Sequence, residues 1–350
     1  MRSSNHSQDR PWWVNGTTLI SANLNLEKES IMLEVELDIF SGMPNPTWVL
    51  SKRQEESLYE LLSAEPKQIS PVTTLSKRFG LGYRGLIVRR VKTDEGVWDK
   101  AMTARRKPFP GEFRLGISTA KKESAADWLV KTADRQGAHL LDEVQGVVSR
   151  GVELVPRLRG PVEPTATIDR ERVKQAEVAA DVPYKPSAKK HETWWACGSN
   201  YFSANADFFN DPAHVTRNNC YCFASNHRPD IRYALPGRRG GSPATSITCG
   251  GVIDGLRADG WTNGCQTNAL TIALVIWPNV DYHFYRLVTG GPFWWWGHKP
   301  GGTPAKYTDD CGNAIYQYQG KGYAPNNICR GPYTNFCDYF YQNNWTAFVA

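Results

Sequence analysis

Hydrophobic and polar positions alternate strictly from Met32 to Phe40, with Leu33, Val35, Leu37 and Ile39 on one face and Glu34, Glu36 and Asp38 on the other. That period of two predicts a half-buried strand. After the turn-forming run SGMPNPTW, Ser51 and Gln54 make a capping-box pattern, which opens a helix with Leu58, Leu61 and Leu62 directed inward. GLGYRGLIVRRV, from Gly80, reads as a glycine-rich approach to a second strand. Its glycines precede a strand and open no helix, which argues against a phosphate loop. Helical periodicity returns over 120–136 and 138–149, the latter with Leu140, Leu141, Val144, Val147 and Val148 on one stripe. These elements predict a small α+β domain over 31–151, behind a polar lead-in over 1–30. With no cysteine and few reactive side chains, it reads as a recognition, scaffold or inhibitory module.

From 152 to 192 the periodicity is lost, and Pro156, Pro161, Pro164, Pro183 and Pro186 are spread among charges, as in an interdomain linker. Beyond 193 the pattern changes again. Thr271 to Trp277, TIALVIW, predicts a buried strand that leads through Pro278 and Asn279 into a hairpin over Asp281 to Pro300. Gly290-Gly291 is its turn. A two-residue turn sets His283 opposite His298, Tyr285 opposite Trp296 and Leu287 opposite Trp294, all on one face. Trp295 then points the other way, a candidate lining for a substrate groove. The final NWTAFVA, from Asn344, is expected to close the sheet as a last strand. The chain is therefore expected to be α+β, with an N-terminal α+β domain and a second, cysteine-rich domain over 193–350 built on an antiparallel sheet.

The chain has 350 residues, a formal charge of +6 and a pI near 8.8. No lysine or arginine block dominates, so a nucleic-acid role has no specific support, whereas attraction to an anionic surface stays open. No apolar run approaches the roughly 20 residues of a membrane span. Of 41 aromatic residues, 29 lie from Trp194 to the end, which implies a compact domain with an aromatic surface or cleft. All eight cysteines lie in the last 154 residues. That segregation points to an exported or extracellular destination and up to three or four disulfides, although MRSSNHSQDRPWWVNG lacks the apolar core of a secretory signal. Sequons at Asn5, Asn15 and Asn344 are too short to decide anything. Nothing in the sequence calls for a cofactor or a resident metal, and the oligomeric state is left open.

The candidate chemistry gathers around NNCYCFASN, Asn218 to Asn226. Asn218 or Asn219 is a good N-cap, which puts Cys220 in the first turn of a helix, where the dipole and free N–H groups favour a thiolate and can receive an oxyanion. On this reading Cys220 attacks, His283 shares its proton and His298 orients His283, with Asp309, Asp310 or Asn313 as alternative third members. A single nucleophilic thiol leaves an odd number of cysteines, so Cys222 is expected to be free too. Two other accounts of Cys220 stay open: a half-cystine, and a metal ligand with Cys222 and His227 or His214.

A cysteine on a helix N-terminus, then a histidine on a strand, then a polar orienter on the next strand resembles the papain-like superfamily. With histidine as third member, the order is most similar to NlpC-type cell-wall endopeptidases. NNCYCFASN, DYHFYR, WGHKPGGTPAKYTDDCGN and RGPYTNF also resemble blocks of an uncharacterised bacterial family. The resemblance covers about 193–350 and implies a thiol peptidase or amidase acting on a peptide or cell-wall peptide. Eight cysteines and the Cys220-Tyr221-Cys222 pair depart from that pattern. The competing expectation is a disulfide-stapled binding or toxin module without chemistry, which holds glycan or protein through an aromatic surface.

Overall fold

The computed structural model describes residues 30–72, 80–93, 109–117, 125–133, 142, 144–148, 206–264, 269–289, 293–318 and 321–350. The lead-in, the linker, the Gly290-Gly291 turn, Cys197, Cys265, Asn5 and Asn15 lie outside them. The described chain is α+β, with two antiparallel sheets and a few helices.

The first sheet has strand order β2-β1-β3-β4, from β1 (Ser30–Leu37), β2 (Thr47–Val49), β3 (Leu86–Thr93) and β4 (Glu112–Leu115). Helix α1 (Lys52–Ala64) starts at the expected capping box: the Gln54 N–H donates to Ser51 Oγ, and the Ser51 N–H donates to Gln54 Oε1. Leu58 and Leu62 bury its inner face beside Leu129 of α2 (Ala125–Ala133).

The alternation over 32–40 does place Leu33, Val35, Leu37 and Ile39 in the core. The opposite face departs from expectation, because Glu36 and Asp38 are buried as well. Buried carboxylates persist only when paired, and both are. Asp38 takes Arg84 at 2.8 Å and Arg114 at 2.7 Å, and Glu36 takes Arg89 and Arg232.

The second sheet has order β10-β5-β6-β7-β8-β9. Its strands are β5 (Ala269–Trp277), β6 (Asp281–Thr289), β7 (Phe293–His298), β8 (Tyr316–Tyr318), β9 (Lys321–Gly322) and β10 (Asn335–Asn343). The closing strand is thus β10, while 344–350 form a turn and an irregular tail. Every residue of β5 is buried, and its two faces serve different cores. Ala273, Val275, Tyr285, Leu287 and Trp296 join Val35, Leu37 and Leu129 in a cluster shared with the first sheet. Leu270, Ile272, Leu274 and Ile276 pack instead with short helices, α4 (Cys220–Ala224), reached through α3 (Ala206–Asn210), and α5 (Cys249–Ala258).

Two disulfides occur among the described residues, Cys249–Cys337 and Cys311–Cys329. The first ties α5 to β10, and the second ties the loop before β8 to the segment after β9.

Candidate functional site

The β6–β7 register differs from the expected one. Tyr285 faces His298 and Leu287 faces Trp296, and a bulge follows before Thr289 pairs with Trp295. The connection is longer than a two-residue turn, so the register moves by two positions. A shift of two keeps every side chain on its face, whereas a shift of one would have inverted the set.

His283 and His298 are therefore diagonal neighbours, and His283 Nε2 lies 2.8 Å from His298 Nδ1. His298 Nε2 lies 2.9 Å from the Thr308 carbonyl oxygen. A carbonyl only accepts, so His298 carries its proton on Nε2 and presents a bare Nδ1. His283 must then donate through Nε2–H. The chain of bonds ends at His283 Nδ1, a buried acceptor with no hydrogen-bond partner. Burial, followed for His283 by the neighbouring His298, pushes both imidazoles well below the ordinary histidine range. Both rings are thus neutral.

Cys220 opens α4 as expected, with its Sγ 3.9 Å from the carbonyl oxygen of Tyr282, the residue before His283. No hydrogen bond joins Cys220 to either imidazole among the described residues. The thiol is not activated: burial, then the carboxylate of Asp281, pushes it well above its usual range. Cys222 is a free thiol too, pushed up to about 11 by burial. Asn219 is the expected cap, accepting from the N–H groups of Tyr221 and Cys222 at 3.2 Å each. Its carboxamide oxygen thereby occupies donors that an oxyanion would need, so the cap role stands and the oxyanion role is corrected.

The alternative third members are engaged elsewhere. Asp309 accepts the N–H groups of Cys311 and Asn313 through one oxygen and that of Cys329 through the other, which organises the disulfide loop. Asp310 accepts from the Leu81 N–H, and Asn313 points back at Asp309. Trp295 is no groove lining: it is buried and stacked on Tyr316 at 5.1 Å. The His227 imidazole accepts from the Val349 N–H and that of His214 bonds Asp230, so both rings are engaged with groups other than the Cys220 and Cys222 thiols. No cluster of three or more potential metal ligands occurs among the described residues.

Two residues that the sequence reading passed over do most to fix this region. Asp281, at the head of β6, receives the N–H groups of Ser41, Gly42 and Met43 and the Tyr333 hydroxyl, which fastens the first sheet's loop to the second sheet. Gly42 fits only because it lacks a side chain, since a Cβ there would lie 2.4 Å from the Tyr282 ring. Burial raises Asp281 to about 6 against the pull of those donors. Lys299, next to His298, donates all three N–H bonds to the carbonyls of Val215, Asn218 and Gly301, and burial brings it down to about 7. Polar residues flanking a histidine strand were a visible signal for both.

Cys220, His283 and His298 all have no solvent-accessible surface. A catalytic group must meet its substrate, and these are sealed. What the geometry defines is a disulfide-stapled α+β protein with a sealed polar interior.

Over 123 residues the chain is 41% identical to insoluble matrix shell protein 1 of Ruditapes philippinarum, covering 34% of this chain and 76% of that protein. The chain belongs to the family of that shell protein. No family model matches the chain. No solved structure matches it either.

Proposed function

We propose that the protein is a non-enzymatic, extracellular structural module that works as part of an insoluble matrix. The observation that carries this reading is its kinship with insoluble matrix shell protein 1. Three features support it. The two disulfides suit an oxidising compartment, the free thiols are buried, and the histidine pair is neutral and closed to solvent.

Fractionation of the secreted material tests it. The protein is expected in the residue that salt leaves behind, and its release should need denaturant together with a reductant. Recovery of all of it in the soluble fraction would overturn the reading.

One observation favours a second reading, the thiol peptidase or amidase. His283 has its Nε2 side oriented by His298 and its Nδ1 side open, one residue from the Cys220 contact at Tyr282. This reading requires an opening that brings Cys220 to His283 and admits a peptide. It predicts amide hydrolysis that disappears in Cys220→Ala, whereas the matrix reading predicts none in either protein.

A further inference from the structure

Among the described residues four large apolar side chains stay open to solvent, Phe208, Tyr323, Trp345 and Phe348. Two of them, Phe208 and Phe348, pack on the turn at residues 226–228, and Trp345 follows a residue hydrogen-bonded to it. Arg228 lies over the Phe208 ring, 3.9 Å from its centroid. His227 meets Phe348 edge-on at 5.0 Å. Asn226, held at a φ of 51°, donates to Asn344 Oδ1 at 2.9 Å, and Trp345 is the next residue in the chain. From the other side Arg239 covers the Phe348 ring at 4.8 Å. Among the described residues neither Arg228 nor Arg239 has an ion-pair partner.

Each element has a clear chemical meaning. Trp345 is 73% exposed, so one large aromatic surface is left for something to cover. A guanidinium held over an aromatic ring is fixed in place; Arg228 donates one N–H to the Phe208 carbonyl, which leaves its remaining N–H edges, and those of the exposed Arg239, for a ligand. Those edges match a carboxylate or sulfate bidentately. The rings form no single apolar patch, because Asn226, Asn344 and Thr346 lie beside them along the chain. Separate rings and forks, interleaved with amides and a hydroxyl, suit a chain whose units each present a C–H face, hydroxyls and an acid group.

We propose that this surface binds an anionic polysaccharide, with a sugar ring stacked on Trp345 and its carboxylate or sulfate groups held by Arg228 and Arg239. The inference rests on the matrix reading and deepens it by naming the chemistry of the partner.

The test uses the purified full chain with heparin, a polyuronate, neutral dextran and polyglutamate as probes. Wild type is expected to bind at least one of the two acidic polysaccharides and to ignore dextran. Trp345→Ala, which removes no charge, should weaken that binding by about tenfold or more, Trp345→Tyr should restore most of it, and Arg228→Gln/Arg239→Gln should abolish it. Thermal unfolding of each variant should stay close to wild type, since Trp345 and Arg239 are exposed and Arg228 is half-buried with one bond to the Phe208 carbonyl. The proposal is overturned if neither acidic polysaccharide binds, or if Trp345→Ala binds as wild type does. It is also overturned if polyglutamate binds more tightly and displaces heparin, which would mark a surface for an acidic protein. Absence of polysaccharide binding by a protein that still fractionates as insoluble removes this inference alone. Binding by a protein that is wholly soluble removes the matrix reading instead.

Discussion

The two sheets are fastened by opposite means. The first keeps charges inside it, Asp38 between Arg84 and Arg114 and Glu36 between Arg89 and Arg232, and has no cysteine in its strands. The second keeps neutral imidazoles inside and is stapled at its margins by Cys249–Cys337 and Cys311–Cys329. Charge pairs act within the folded state, and each partner is costly without the other. Disulfides act mainly on the unfolded chain by restricting it. One sheet is therefore vulnerable to losing a charge, the other to a change of redox environment.

The largest effect is expected at Asp38. Burial opposes its ionisation, yet the guanidiniums of Arg84 and Arg114 outweigh that and hold the carboxyl below the usual carboxylate range. Asp38→Ala leaves two buried guanidiniums facing each other. The expected loss is about 3 to 5 kcal/mol, measured by denaturant unfolding. A loss below about 1 kcal/mol would show that the first sheet does not depend on its charges.

Next in size is the staple between α5 and β10, which closes a separation of 88 residues. Cys249→Ala/Cys337→Ala should cost about 4 kcal/mol on loop-closure grounds. The shorter Cys311–Cys329 link, with a separation of 18, should cost about 3 kcal/mol. If reduction destabilises Asp38→Ala and wild type equally, the two devices act independently. A larger effect in Asp38→Ala would mean that the sheets share one cooperative unit, as the mixed core of Val35, Leu129, Val275 and Trp296 implies.

The sequence made the first device half legible. Strict alternation over 32–40 located the strand and its apolar face, and Ser51 with Gln54 located the helix start, because both signals are local. The same alternation misplaced Glu36 and Asp38, since partners 46 to 196 residues away decide whether an acidic face is solvated. The histidine pair was legible because the register moved by two positions, and an even shift keeps every side chain on its expected face. The register itself was not, because a bulge and a longer connection carry no such period. Trp345 was expected in a closing strand, but β10 ends at Asn343 and leaves Trp345 in an exposed turn.

A smaller effect, specific to the second sheet, concerns pH. His283 and His298 refuse protons when folded and accept them near the ordinary histidine range when unfolded. The unfolded state therefore binds more protons below about pH 6.5, and stability falls as pH drops through that point. The contribution is about 1.4 kcal/mol per pH unit for each imidazole. Asp281 and Asp310, both raised to about 6 chiefly by burial, take up protons in the folded state and oppose this trend. They are present in wild type and variant alike, so the comparison to make is the difference between wild type and His283→Gln/His298→Gln. Stability measured from pH 7 to 5 should fall more steeply in wild type. Parallel curves would mean that the pair is protonated in the fold.

The smallest effect expected is none, and it separates the two functional readings. Cys220 and Cys222 are free, buried and raised in pKa, and thiol alkylation proceeds through the thiolate. Iodoacetamide at pH 7.5, a working value about one unit below an ordinary thiol, should leave both unmodified in the native protein. Both should react once denaturant opens the fold, as read by peptide mass spectrometry. Native labelling at Cys220 that disappears in His283→Ala would instead mean that the imidazole activates the thiol. That result would replace the sealed interior with a working cysteine–histidine pair. Labelling at Cys220 that survives in His283→Ala would report opening of α4 without catalysis, because exposure alone accounts for it.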